Sequence, residues 1–277
     1  MQRLLVVLAV GVVAVLPLFA ATVDGMRIHS AVTGSGPATL VFVHGWTCDS
    51  SSWEAQVPAF ARKYRVVTLD LPGHGQSGAP ADGKFSVDLF AKAVEAVRAE
   101  TKADRIVLIG HSMGAPVIRQ YARRYPAHVA GLVAVDGPLD MSQFGGGGNG
   151  AAAAPPPMTG PQGLATREKM IRSMFTPQTP EPLQKQILAM MLKAPEATAG
   201  GAMAAMFDPA VREKDVTTVP ALAVYAGTAQ MPNVAETQKV LPKFEATQIA
   251  GTGHFVMMEK PDEFNRTLQA FLDRIKY

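Results

Sequence analysis

Cysteine is nearly absent. Cys48 stands alone among 277 residues, so no intramolecular disulfide can form even in an oxidising compartment. It has no metal-ligand spacing around it and reads as a small buried or pocket-lining residue; no His/Cys/Asp cluster elsewhere has such spacing, and no metal is expected. Charge of one sign is scarce as well. The net charge is only +3 and no dense block of lysine or arginine occurs, which argues against a nucleic-acid partner. Gly-Lys-Ser/Thr is missing, and Gly110-His111-Ser112-Met113-Gly114 does not have the Gly-x-Gly-x-x-Gly spacing, so no phosphate-cradling loop is expected there, and no cofactor.

Long apolar runs are also missing, with one exception at the N-terminus. Behind Arg3, Leu4 to Ala20 is almost wholly apolar, with Pro17 near its end; small residues follow, and the chain turns polar at Thr22-Val23-Asp24-Gly25. That layout is a secretory signal peptide over residues 1–21, and it predicts a secreted or periplasmic protein. The run is also just long enough to span a bilayer, so membrane contact is expected only if this segment stays uncleaved.

What is present is a core. Hydrophobic residues make up 48% and charged residues 18%, which suits one large domain, alone or with an inserted subdomain. Val23 to Val32 alternates around Asp24-Gly25 and reads as an edge hairpin. Continuous apolar runs ending at His44, Asp70, Gly110 and Asp136 read as strands buried on both faces, at Ala38–Val43, Arg65–Asp70, Arg105–Ile109 and Ala130–Val135. Helical spacing separates them at Ser51–Tyr64, at Val87–Ala99 behind a Ser86 cap, and at Met113–Tyr125. Such alternation implies right-handed βαβ units in a mainly parallel sheet with helices on both faces. Ligand chemistry in such sheets sits at the carboxyl ends of strands, where His44-Gly45, Asp70, His111-Ser112 and Asp136 all fall.

The rhythm breaks over residues 138–218. A Gly/Ala/Pro stretch at 145–157 reads as a flexible loop, and helical stretches follow near Thr166–Phe175, Pro182–Lys193 and Gly200–Phe207. This segment is expected to be a helical cap inserted into a core formed by 22–137 and 219–277. Methionines 170, 174, 190, 191, 203 and 206 fall on it, either as ordinary packing or as an adaptable apolar wall over a pocket. The strand–helix rhythm resumes at Val219–Gly227, Val234–Leu241, Phe244–Ala250 and Pro261–Lys276.

Gly110-His111-Ser112-Met113-Gly114 matches Gly-x-Ser-x-Gly between a buried strand and a helix. That context is what a nucleophile elbow requires, because the sharp turn exposes the serine and glycines let strand and helix approach. Together with His44-Gly45-Trp46, Asp70-Leu71-Pro72-Gly73-His74-Gly75-Gln76-Ser77 and Gly253-His254-Phe255, in this order, the chain resembles the α/β-hydrolase superfamily, in its esterase, dehalogenase and C–C hydrolase branch. The resemblance covers most of residues 23–276 and implies an α/β-hydrolase fold. It also implies Ser112 as nucleophile and His254, in a loop after the last strand, as its base.

A serine hydroxyl needs such a base to attack at neutral pH. The backbone N–H groups of Met113 and Trp46 are the expected oxyanion hole. For the acid, the commoner family pattern has an aspartate after the strand that follows the cap, but Gln230 stands there. Part of the superfamily takes the acid from the end of the preceding strand, where Asp136 falls; Asp140, or a Ser–His pair without an acid, is the alternative. Asp70 reads as an anchor for its glycine-rich turn, and Glu259 as a helix-entry or loop-bracing carboxylate. The expected activity is hydrolysis of small to medium acyl esters, with a small-molecule ester as the partner. Serine in place of a carboxylate nucleophile disfavours dehalogenase and epoxide hydrolase chemistry. C–C hydrolase, acyltransferase and cofactor-free perhydrolase activity would use the same residues, and a non-catalytic binding member of the fold is the remaining alternative.

Overall fold

In the computed structural model, residues 21–143, 158–212 and 214–277 are described. The expected signal peptide, apart from Ala21, and the Gly/Ala/Pro loop at 145–157 lie outside the described residues.

The chain opens with a short antiparallel ribbon, β1 (Thr22–Val23) and β2 (Met26–Arg27), around Asp24-Gly25. The hairpin expected to run to Val32 stops here. Gly78 N–H donates to Arg27 O, and His29 N–H donates to Ser77 Oγ, so the glycine-rich turn takes the hydrogen bonds that would have lengthened the ribbon. β3 (Ser30–Thr33) then departs to form the edge of the main sheet. The remaining strands are β4 (Thr39–Val43), β5 (Arg65–Leu69), β6 (Ile106–His111), β7 (Val129–Val135), β8 (Ala221–Ala226) and β9 (Phe244–Ile249). The sheet order is β3-β5-β4-β6-β7-β8-β9; β3 pairs antiparallel with β5, and every other neighbouring pair is parallel. All residues of β4, β6, β7 and β8 are buried, which is why their sequences run continuously apolar instead of alternating.

Helices cover the sheet. α1 (Gln56–Phe60) follows β4, α2 (Val87–Glu100) follows β5, and α3 (Gly114–Arg124) follows β6. Ser86 caps α2, its hydroxyl accepting from Leu89 N–H at 3.0 Å. The single helix expected over Ser51–Tyr64 is instead a short 3-10 turn at Ser50–Trp53 followed by α1. Pro58 has no N–H to give the carbonyl of Glu54, so an unbroken helix cannot pass through it. Trp53, fully buried, packs against Phe42 with ring centroids 5.0 Å apart and ties this segment to the sheet.

Between β7 and β8 lie α4 (Gly163–Arg172), α5 (Glu181–Leu192) and α6 (Glu196–Met206). α4 and α6 start three to four residues before the positions read from sequence. For α6 the reading was held back by Gly200-Gly201, poor helix formers. A Cβ on Gly201 would lie 2.2 Å from Phe85 Cδ2, so tertiary packing requires the glycine inside the helix. α7 (Val234–Val240), α8 (Val256–Glu259) and α9 (Pro261–Arg274) complete the chain, with α8 not foreseen.

The topology positions the site. From β4 the chain goes to β5 on one side, then crosses through α2 to β6 on the other side of β4. The loops leaving β4 and β6 therefore diverge and open a crevice at the carboxyl edge of the sheet.

Candidate active site

Ser112 sits in that crevice, between the end of β6 and the start of α3, with φ of 51°. A non-glycine residue in the left-handed region costs about 1–3 kcal/mol unless its surroundings impose it. Here Ser112 N–H donates to Val135 O and Ser112 O accepts from Ala115 N–H, both at 2.9 Å. The flanking glycines explain the motif: a Cβ on Gly110 would lie 2.4 Å from Gly114 O, and one on Gly114 would lie 2.5 Å from Val43 O. Strand, turn and helix are in backbone contact, and the serine is left partly exposed.

His254 lies in the loop between β9 and α8, with its Nδ1 2.6 Å from Asp136 Oδ2. Asp136 also has positive φ, 44°, just past the end of β7. Its other oxygen, Oδ1, accepts from Ala226 N–H at 2.8 Å, and its own N–H donates to Val224 O at 2.9 Å. The carboxylate is thus fixed against β8 with one oxygen left for the imidazole. An Nδ1–H donating to it leaves Nε2 unprotonated, the form a general base requires. The His254 main chain is held at both ends: its N–H donates to Met174 O at 3.0 Å, and its carbonyl accepts from His111 Nε2–H at 3.0 Å. The His111 and His254 rings lie 4.8 Å apart, so the residue beside Ser112 packs on the His254 ring. The Ser112 hydroxyl and the His254 ring do not hydrogen-bond to each other in this structure. Contacts of this kind are commonly long in the free enzyme and tighten once substrate binds.

Gly45-Trp46 borders the serine from the β4 side; a Cβ on Gly45 would lie 3.1 Å from Ser112 Cβ. Among the described residues, the main-chain N–H groups of Trp46 and Met113 donate to no protein acceptor, which leaves both available for an anion. The Trp46 indole N–H donates to Ala199 O in α6 at 2.8 Å and joins this loop to the inserted helices.

The other candidates fall into structural positions. Asp70 accepts from Ser50 N–H at 2.8 Å and from Gln76 N–H at 2.9 Å, and so ties two loops together. His44 Nδ1–H donates to Gly45 O while Nε2 accepts from Leu71 N–H, and burial holds its pKa below the usual value. Burial likewise pushes His74 down to about 3. His111 is held well below the ordinary value, first by burial and then by the neighbouring His254. Asp140 accepts from Ser142 and from Gln143 rather than from a histidine. Cys48 is buried, which raises its thiol pKa and removes its nucleophilicity. Met191 and Met203 are buried, while Met170, Met174, Met190 and Met206 pack half-buried against the core. Among the described residues no group of three His, Cys, Asp or Glu side chains converges as a metal site would. A cleft of about 720 Å³ flanks Asp136, lined by Asp136, His254, Asp140, Tyr225, Gln230 and Met231 among others, but not by Ser112.

Sequence reasoning missed three contributors: Ala226 N–H on the Asp136 carboxylate, His111 as a brace for the His254 loop, and the Met174 carbonyl on His254 N–H. Two of these are main-chain groups and carry no side-chain signal. His111 was legible only as part of the elbow.

Comparison with known proteins agrees with this fold. The family described as alpha/beta hydrolase fold matches residues 38–155. A Haemophilus influenzae protein with the provisional name esterase/lipase is 24% identical over 260 residues, covering 90% of this chain and 88% of that protein. Of several other curated relatives the chain spans only 33%. A solved structure provisionally titled an aryl esterase from Burkholderia cenocepacia superposes with a TM-score of 0.76 at 25% identity, over 95% of this chain and 99% of its own. Another, provisionally titled an epoxide hydrolase from Pseudomonas aeruginosa, reaches 0.79 at 20% identity, over 96% and 97%. The chain has the α/β-hydrolase fold.

Proposed function

We propose that this chain is an exported serine esterase acting on small to medium acyl esters. Ser112 attacks the ester carbonyl while His254 Nε2 takes its proton, and the N–H groups of Trp46 and Met113 hold the oxyanion. The alcohol leaves with that proton, and water, activated by the same histidine, releases the acid and restores the serine. Asp136 keeps His254 in the Nδ1–H tautomer and stabilises the imidazolium that forms. The observation that carries most weight is the 2.6 Å contact between Asp136 Oδ2 and His254 Nδ1, in a loop whose carbonyl is bound by the residue preceding Ser112. A serine rather than a carboxylate at the elbow supports ester over epoxide chemistry. Export rests on the N-terminal sequence alone.

The test is direct. Ser112→Ala should abolish turnover of p-nitrophenyl esters with unchanged circular dichroism, and a fluorophosphonate should label the native protein on Ser112 and no other residue. Retained turnover in the variant, or no labelling of the native protein, would overturn the assignment.

A further inference from the structure

The inserted helices reach further into the site than a lid over it would need to. The connection between α4 and α5, residues 174–179, grips the loop that presents His254. His254 N–H donates to Met174 O at 3.0 Å. Gly253 N–H donates to both oxygens of Glu259, each at 3.0 Å, and the same carboxylate accepts from Thr179 Oγ1–H at 2.9 Å. Thr179 Oγ1 in turn accepts from Thr176 N–H at 3.0 Å. A Cβ on Gly253 would lie 2.5 Å from Met174 O, so the two backbones are in direct contact. Thr179 is buried, its hydroxyl committed to this bridge.

We propose that Thr179 and Glu259 are positioning residues that register the inserted helical layer against the catalytic base. This rests on the esterase reading above. The His254 N–H is satisfied only while residues 174–179 are seated, and the Gly253 N–H is held by a Glu259 carboxylate that Thr179 ties to the same connection. If that connection withdraws, the imidazole loses its fixed approach to Asp136, so the base is aligned with the helical layer closed and misaligned with it open.

Thr179→Val deletes the hydroxyl at nearly constant size, and Thr179→Ser keeps it; Glu259→Gln is a second, independent cut should the valine variant not fold. Each is compared with wild type for kcat and KM on a p-nitrophenyl ester, and by NMR for the His254 Nδ1 proton. That proton resonates far downfield while bonded to Asp136, and it is assigned by its loss in His254→Gln. Misplacement of a catalytic group by about 1 Å costs up to roughly a hundred-fold, so Thr179→Val should lower kcat by about ten- to a hundred-fold. KM should stay within about two-fold, since substrate contacts are untouched. The downfield proton should broaden in Thr179→Val and Glu259→Gln and stay sharp in Thr179→Ser. A wild-type kcat and proton signal in Thr179→Val overturns the proposal, as do equal losses in the valine and serine variants. Absence of the proton from wild type also overturns it. The NMR comparison needs no turnover: a native protein that shows the proton but hydrolyses no ester refutes the esterase reading and leaves the clasp to be judged on the spectra.

Discussion

The geometry around Asp136 separates two carboxylates that the sequence could not fully rank. Its Oδ1 is occupied by Ala226 N–H and its Oδ2 by His254, whereas Asp140 spends both oxygens on Ser142 and Gln143. In Asp136→Asn the carbonyl oxygen would stay on Ala226 N–H and the amide would turn to His254 Nδ1. An amide N–H there forces the proton to Nε2, the wrong tautomer for a base. kcat should fall by about ten-thousand-fold with little change in KM. Asp140→Asn should remain within about three-fold of wild type, because it touches neither reacting atoms nor the base. Steady-state kinetics on both variants decide it, and the reverse ranking would remove Asp136 from the site. Asp136 was legible in the sequence only by contrast, because glutamine filled the commoner position. The partner of its second oxygen was not legible, since any residue at 226 other than proline offers an N–H.

At the scale of elements, strands were the easiest to read. β4, β6 and β7 are buried on both faces, and a continuous Val/Ile/Leu run bounded by glycine or charge has few other readings. The elbow was legible for a related reason: its glycines report backbone contacts that no other residue allows. Gly110 is the sharpest case, since a Cβ would press on the Gly114 carbonyl, backbone against backbone, with nothing flexible to yield. Gly110→Ala should therefore force β6 and α3 apart and destabilise the protein by about 1–3 kcal/mol or more. The urea midpoint should drop, and ester turnover should fall with it as the serine turn relaxes. An alanine variant with native midpoint and native turnover would mean that the elbow is not under this constraint. The inserted helices were harder. Their boundaries depend on packing against Phe85 and the His254 loop, and their own residue pattern carries little of that.

The whole molecule carries a feature that no single motif announces: three buried histidines, two in loops and one at the end of β6, built in around the crevice as neutral rings. His44 uses one nitrogen as donor and the other as acceptor, while His74 Nε2 and His111 Nδ1 are buried without partners. Burial depresses all three pKa values, His74 to about 3. Once unfolded, each returns to about 6.5, so between the two values the unfolded chain binds more protons than the folded one. Stability is then fully present above about pH 6.5 and is lost as pH falls below it, continuing down towards the folded-state values. His74 contributes a slope of about 1.4 kcal/mol per pH unit once well below 6.5, and His44 and His111 add to it in the same direction. His74 alone removes about 1 kcal/mol between pH 7 and 5.5, and the other two rings add to that loss, against the roughly 5–15 kcal/mol a domain has. Urea unfolding at a series of pH values measures this slope, which should correspond to uptake of about one proton or more. Histidine replacement supplies the control: His74→Asn, if it folds, should lower the slope by about one proton, because one buried neutral ring has gone. A stability that stays flat from pH 7 to 5.5 would mean that these rings are protonated within the fold. The His44–Leu71 hydrogen bond could not then exist as drawn, since a protonated ring has no lone pair to receive it.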